Sequence, residues 1–175
     1  MALGFKSGAR RGEHYDLATF AVRRLKKVNV LVKGKTERHF EHTIISHLQA
    51  SPKLRKNLIT QIGVDEVEKI TPGVLFGFSH RPDVSIGKDG TAIEIKVVSS
   101  GHGVRDNLGQ AIAYRMHYRF VILVLIDKIT GRKIVDTCQS KASSECCLLS
   151  GLAEKMNVFT IVGPVGSSKN LASVA

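Results

Sequence analysis

Asp83, Glu94 and Lys96 are the residues of this chain whose types and spacing could carry out chemistry. They lie in RPDVSIGKDGTAIEIKVVSS, residues 81–100, among residues that otherwise read as buried strand. An extended TAIEIKVV puts Glu94 and Lys96, two apart, on one face and Ile93, Ile95 and Val97 on the other. Lys88-Asp89-Gly90 is a tight-turn signal between two alternating segments. Ten residues separate Asp83 from Glu94, so a hairpin turning at Asp89-Gly90 sets the two carboxylates roughly opposite each other. Paired carboxylates repel unless a cation lies between them. Mg²⁺ meets that need, because it is held by one or two carboxylates plus waters and a substrate phosphate. Lys96, on the same face, could orient or help deprotonate a water and steady phosphate charge in a transition state. The plainer alternative is a hairpin edge decorated with solvated charges.

Several elements must form to position these residues. EHYDLATFAVRRLKK, residues 13–27, carries Leu17, Phe20, Ala21 and Leu25 near helical spacing. A second helix starts near Thr36, a candidate cap, with Phe40, Ile44 and Leu48 as its stripe. VNVLVKGK between them is a short strand or a connection. SPKLRKNLITQI could be a short helix, and VDEVEKITPG a strand edge or an excursion. VLFGF, PDVSIG and TAIEIKVV are expected to form a three-strand meander. GVRDNLGQAIAYRMHY reads as a helix, and RFVILVLID as a central strand buried on both faces. TGRK turns the chain. KASSECCLLSGLAEKM is a helix with Leu149, Leu152 and Met156 on one face, and VFTIVG is a last strand. The expected fold is α/β (α+β): a mixed sheet flanked by helices, with a meander followed by helix and strand. The expected organisation is a basic arm and helix over 1–35, a core over 36–163 and a flexible Gly/Ser-rich tail over 164–175.

Pro82-Asp83, ten residues, then Glu94-Ile95-Lys96 resembles the signature of the PD-(D/E)xK nuclease superfamily. The element order over residues 36–127 resembles that superfamily's restriction-endonuclease-like core. The resemblance implies Mg²⁺-dependent hydrolysis of phosphodiester bonds, with Mn²⁺ able to substitute. It makes Asp83 and Glu94 metal ligands assisted by the Ile95 carbonyl, and Lys96 the residue that positions the water. Gln110 and Tyr114, as Q-x-x-x-Y one turn apart on one helix face, resemble an element of RecB-type and lambda-exonuclease-like members that contacts DNA near the metal. Asn107 and His117 extend that stripe, with Leu108, Ala111 and Ile112 on the packing side. Many members place a further metal-site glutamate on the helix before the meander, here Glu37 or Glu41, and the sequence leaves both open.

Charge points to the same partner. There are 26 basic and 15 acidic residues, a net of +11. Residues 1–36 alone hold nine Lys or Arg against two acids, the footprint of phosphate-backbone binding. Arg10, Arg11, Arg23, Arg24, Lys26 and Lys27 are the expected backbone contacts, joined by Ser99 and Arg105 in and after the SSGHG loop and by Tyr114. A homodimer cutting both strands is compatible with the resemblance. A non-catalytic nucleic-acid-binding module, or a basic scaffold protein with this fold, is the alternative.

Other functions have less behind them. His39, His42 and His47 share a helix without an H-x-x-x-H pair, and His80 stands close before Asp83. No G-x-S-x-G elbow and no P-loop motif occurs, which sets aside serine-hydrolase and P-loop readings. Cys138, Cys146 and Cys147 have no zinc spacing and read as reduced packing cysteines. The longest apolar run, FVILVLI, is of strand length, and the first residues lack a signal peptide's apolar centre. The expected setting is cytoplasmic, with nucleoid association in a prokaryotic or viral context.

Overall fold

FVILVLID forms the centre of the molecule because it offers no polar side chain to either face until its last residue. In the computed structural model, which describes residues 5–61, 70–75, 77–129, 133–165 and 169–174, this segment is strand β6 (Phe120–Asp127), buried along its whole length. Strand β5 (Thr91–Val98) pairs with it in parallel on one side and β7 (Val158–Val165) on the other. Parallel neighbours need a crossover, usually helical. Helix α4 (Gly101–Arg115) connects β5 to β6, and α5 (Lys133–Gln139) with α6 (Ser144–Met156) connects β6 to β7. Two short strands, β1 (Leu58–Thr60) and β4 (Val84–Ile86), add antiparallel pairs beyond β5. With β8 (Asn170–Ser173) at the far edge, the sheet order is β1-β4-β5-β6-β7-β8. The protein is therefore a mixed α/β fold, a six-stranded mixed sheet flanked by helices.

Strand alternation divides the core in two. Ile122, Val124 and Ile126 of β6, with Ile93 and Ile95 of β5, face helices α1 (Glu13–Leu25) and α2 (Glu37–Gln49). Leu17, Ala21 and Leu25 of α1 and Phe40, Ile44 and Leu48 of α2 complete that layer. Val121, Leu123 and Leu125, with Ala92 and Val98, face α4, α5 and α6 through Ala111, Tyr114, Val135 and Leu149. Each fully buried Leu or Ile contributes on the order of 2 kcal/mol.

Several expectations needed correction. VLFGF is not the first strand of the meander: Gly77, at φ 81°, reverses the chain inside it. Strands β2 (Gly73–Leu75) and β3 (Phe78–His80) on either side form a separate two-stranded hairpin. The meander begins instead at β1, directly after the one-turn helix α3 (Pro52–Arg55). VNVLVKGK contributes a single bridge, Asn29 to Asn170. The 164–175 tail is not frayed throughout, because β8 pairs with β7 and buries Leu171. Helix α1 is no detached arm, since its apolar stripe belongs to the same core as α2 and β5. Thr36 holds the cap position of α2 without a side-chain capping bond. Residues 64–69 of the VDEVEKITPG excursion and 130–132 of the TGRK turn lie outside the described residues. Among the described residues no helix is long and apolar enough to cross a membrane.

Candidate active site

The site forms where β5 outruns its neighbour. Pairing of β4 with β5 ends at Val84 opposite Ile93, and Pro82, two residues earlier, has no N–H to extend it. Beyond Ile93 the outer edge of β5 has no strand, and two carboxylates take its place. Asp83 Oδ2 accepts the Ile95 N–H at 2.7 Å, and Glu37 Oε2 accepts the Val97 N–H at 3.0 Å. The N–H and C=O of one strand residue point to the same side, so the Ile95 carbonyl also faces this open edge.

On the α4 side, Glu94 is 2 % exposed. Its Oε1 lies 3.0 Å from the Lys96 ammonium. Its Oε2 accepts the Tyr114 hydroxyl at 3.2 Å, and that hydroxyl accepts Gln110 Nε2 at 2.9 Å. Lys96 also reaches Glu37 Oε1 at 3.3 Å. The structure thus brings together Asp83, Glu94, Ile95, Lys96, Glu37, Gln110 and Tyr114 from strand β5, the residue before β4, and helices α2 and α4.

The charges of this cluster are in tension. Burial, then the Glu94 charge, push the Asp83 carboxyl up to about 7 against the opposing pull of Lys96 and the Ile95 N–H. Burial raises Glu94 as well, again against Lys96. Burial alone would pull the Lys96 ammonium down, but Glu94, Asp83 and Glu37 outweigh it and hold Lys96 charged. Tyr114 is raised by burial and by Glu94, so it stays a neutral donor. The half-buried Asp83 and the buried Glu94 thus share one nearby ammonium, paired to Glu94, and the Glu94 charge repels Asp83 in a way that a divalent ion would relieve.

The oxygens offered here are of the kind a hard divalent cation takes. Among the described residues no three carboxylate, imidazole or thiol side chains form a cage. Mg²⁺ keeps several waters and takes one or two carboxylates, with substrate phosphate completing its shell. Asp83, Glu94 and the Ile95 carbonyl supply that number and type of oxygen. Glu37 is engaged by Lys96 and Val97, whereas Glu41, one turn on, is close enough for its charge to raise Asp83.

Other candidates fall in different places. Tyr114 is fully buried and turned onto Glu94, so it orients that carboxylate instead of meeting DNA at the surface. Arg10, though exposed, is engaged by the protein itself, its Nε on Asn157 Oδ1 at 3.2 Å and its Nη2 on the Ala153 carbonyl. Arg24 donates to the His47 carbonyl at 3.2 Å and returns toward the same residue through His47 Nε2 and its own carbonyl. Arg23 lies 6.0 Å over the Phe20 ring. Arg11, Lys26, Lys27, Ser99 and Arg105 are exposed, Arg105 with its Nη2 3.3 Å from His102 Nδ1. His80 is exposed on β3. His39 packs edge-on against Phe40, and no histidine joins the cluster among the described residues.

One positioning residue had no sequence signal. Gln61 Nε2 donates to the carbonyls of Arg81 and Pro82 at 2.8 and 2.9 Å, and its N–H to the Asp83 carbonyl at 3.2 Å. It fixes the backbone that carries Asp83, yet an amide twenty-two positions away belongs to no motif. Comparison of the chain with family models, curated proteins and solved structures finds no match.

Proposed function

We propose that this protein is a Mg²⁺-dependent deoxyribonuclease that hydrolyses phosphodiester bonds, related in its site to the PD-(D/E)xK nucleases it resembles. The observation that carries this reading is the half-buried Asp83 on the open edge of β5 with the buried Glu94 beside it, both carboxyls raised, and a charged Lys96 paired to Glu94. Asp83, Glu94 and the Ile95 carbonyl would hold the ion, which when bound neutralises phosphate charge and sharpens water as a nucleophile. Lys96 donates from its ammonium to the attacking water or to a non-bridging phosphate oxygen. Because it stays charged, it acts as a donor and electrostatic stabiliser, not as the base. Gln110 and Tyr114 hold Glu94 in one orientation, and Glu37 holds Lys96. The net charge of +11 and the exposed Arg11, Lys26, Lys27 and Arg105 suit a phosphate backbone contacted without reading sequence. A homodimer would place two such sites on two strands.

The test is cleavage of linear, nicked, single-stranded and four-way-junction DNA, with RNA alongside, in Mg²⁺ or Mn²⁺. Wild type should cut at least one DNA form. Asp83→Ala and Lys96→Ala should lower cleavage by at least about 1,000-fold while retaining DNA binding. Cleavage unaffected by either substitution would sink the site, and DNA bound but uncut in every form would make the protein a binding module.

A further inference from the structure

The β2–β3 hairpin stands outside the main sheet, is held at its roots and exposes the whole of β3. On the β2 side, Tyr118 donates its hydroxyl to the Thr71 carbonyl at 2.7 Å, and the Val74 N–H donates to His117 Nε2 at 3.2 Å. Gly73 lies so close to the Tyr114 ring that a Cβ there would sit 3.0 Å from Cδ1. On the β3 side, Gln61 clamps the carbonyls of Arg81 and Pro82. Beyond these anchors every residue of β3 is exposed, and Phe78 is the most exposed large apolar residue described, at 70 %.

The hairpin is aimed by its register. His80 is opposite Gly73, and Phe78 is two residues from His80, so Phe78 shares the strand face that at Gly73 packs on Tyr114. Tyr114 in turn holds Glu94. Phe78 is five residues from Asp83, a reach of at most about 17 Å, or roughly five stacked nucleotides at 3.4 Å each. His80 and Arg81 stand between the two, both exposed, and supply cationic or hydrogen-bonding groups along that path.

An exposed aromatic beside basic residues, on an anchored ribbon next to the candidate phosphate-cleaving centre, has the makings of a stacking platform. Aromatic faces stack on bases that have left the helix, whatever their sequence, and apolar side chains wedge into opened base steps. Intact duplex offers no free base face at that distance. Resting on the nuclease reading, we infer that Phe78 stacks on an unpaired base a few nucleotides from the scissile phosphate. The favoured substrate is then DNA with a strand discontinuity, such as a flap, a junction arm or a single-stranded end.

The test compares wild type, Phe78→Ala and Phe78→Trp on a flap duplex and on a closed duplex of equal length. 2-Aminopurine is placed at unpaired positions one to five nucleotides from the cut. Wild type should prefer the flap and quench 2-aminopurine at one of these positions. Phe78→Ala should lose on the order of tenfold in flap affinity and the quench, keep duplex affinity within about twofold, and be rescued by Phe78→Trp. Equal flap binding by wild type and Phe78→Ala overturns the inference, as does a change in oligomeric state on Phe78→Ala, which would make the tip a contact between copies. Neither result touches the nuclease reading, which stands or falls on Asp83→Ala cleavage. A Phe78-dependent flap preference with no cleavage would overturn that reading alone.

Discussion

Asp83, one residue before β4, and Asp127, the last residue of β6, flank β5 on opposite sides; both accept backbone N–H groups, but their charges are satisfied differently. Asp127 ends β6 at 3 % exposure. Its Oδ1 accepts the Ile129 N–H at 2.8 Å, and its Oδ2 accepts those of Ile134 and Val135, both at 3.1 Å. Three donors satisfy that carboxylate and tie the start of α5 to the sheet. Asp83 receives the Ile95 N–H and faces Glu94, whose charge opposes its ionisation. Burial of a carboxylate therefore does not mark a site by itself. The balance of donors against neighbouring acids does, because an under-satisfied charge keeps affinity for a cation or a proton.

The largest effects should separate these two residues. Asp83→Asn keeps an oxygen for the Ile95 N–H and removes the charge, so cleavage should fall at least about 1,000-fold with the melting temperature held or raised. Asp127→Asn turns its amide N–H toward at least one backbone donor in either flip and removes the charge, which should cost about 2 kcal/mol in chemical denaturation. Its cleavage per folded molecule should stay near wild type. A folded Asp127→Asn protein as inactive as Asp83→Asn would erase the distinction.

Next in size is a pH dependence with a fixed sign. Asp83 is raised from 3.8 to about 7 on folding, so within that window the folded chain keeps a proton the unfolded chain has released. Stability then declines as pH rises from about 4 to 7, and Glu94, raised in the same direction, adds to the decline. Asp83→Asn should flatten this part of the curve. Mg²⁺ should raise the melting temperature of wild type more at pH 8 than at pH 5, since the ion competes with the proton for the same oxygens. A Mg²⁺ effect equal at both pH values, or one retained in Asp83→Asn, would place the ion elsewhere.

Long periodic segments were legible in the sequence, and contacts made by short or distant segments were not. β6 announces itself by eight apolar or terminal positions in a row, and α1, α2 and α4 fall where their stripes or motifs put them. Asp83 meets Glu94 because a turn signal and strand alternation are local facts. β1 and β2, by contrast, have three residues each, too few to display a period. α5 starts on the carboxylate of Asp127 from a preceding strand, and β8 exists because β7 offers it an edge. The direction of Tyr114 was also out of reach. A glycine at 73, forty-one residues away, lets the hairpin backbone close over its ring, and nothing near Tyr114 in sequence reveals that.

The smallest predicted effect tests that buried tyrosine. Tyr114→Phe keeps the ring that packs under Gly73 and against Tyr118, whose centroid is 6.5 Å away. It deletes only the hydroxyl linking Gln110 to Glu94. Stability should drop by about 1 kcal/mol, the worth of a hydrogen bond to a carboxylate less the easier burial of phenylalanine. Outer partners that orient a metal-binding carboxylate tune its affinity by about tenfold or more. Half-saturating Mg²⁺ should therefore rise by about that factor, while the rate at saturating Mg²⁺ changes less than threefold. Gln110→Ala, one bond further out, should shift Mg²⁺ dependence in the same direction by a smaller factor. If Tyr114→Phe instead lost maximal rate as steeply as Asp83→Asn, with Mg²⁺ dependence unmoved, the hydroxyl would be acting on the reacting phosphate. Glu94 would then be held by Lys96 alone.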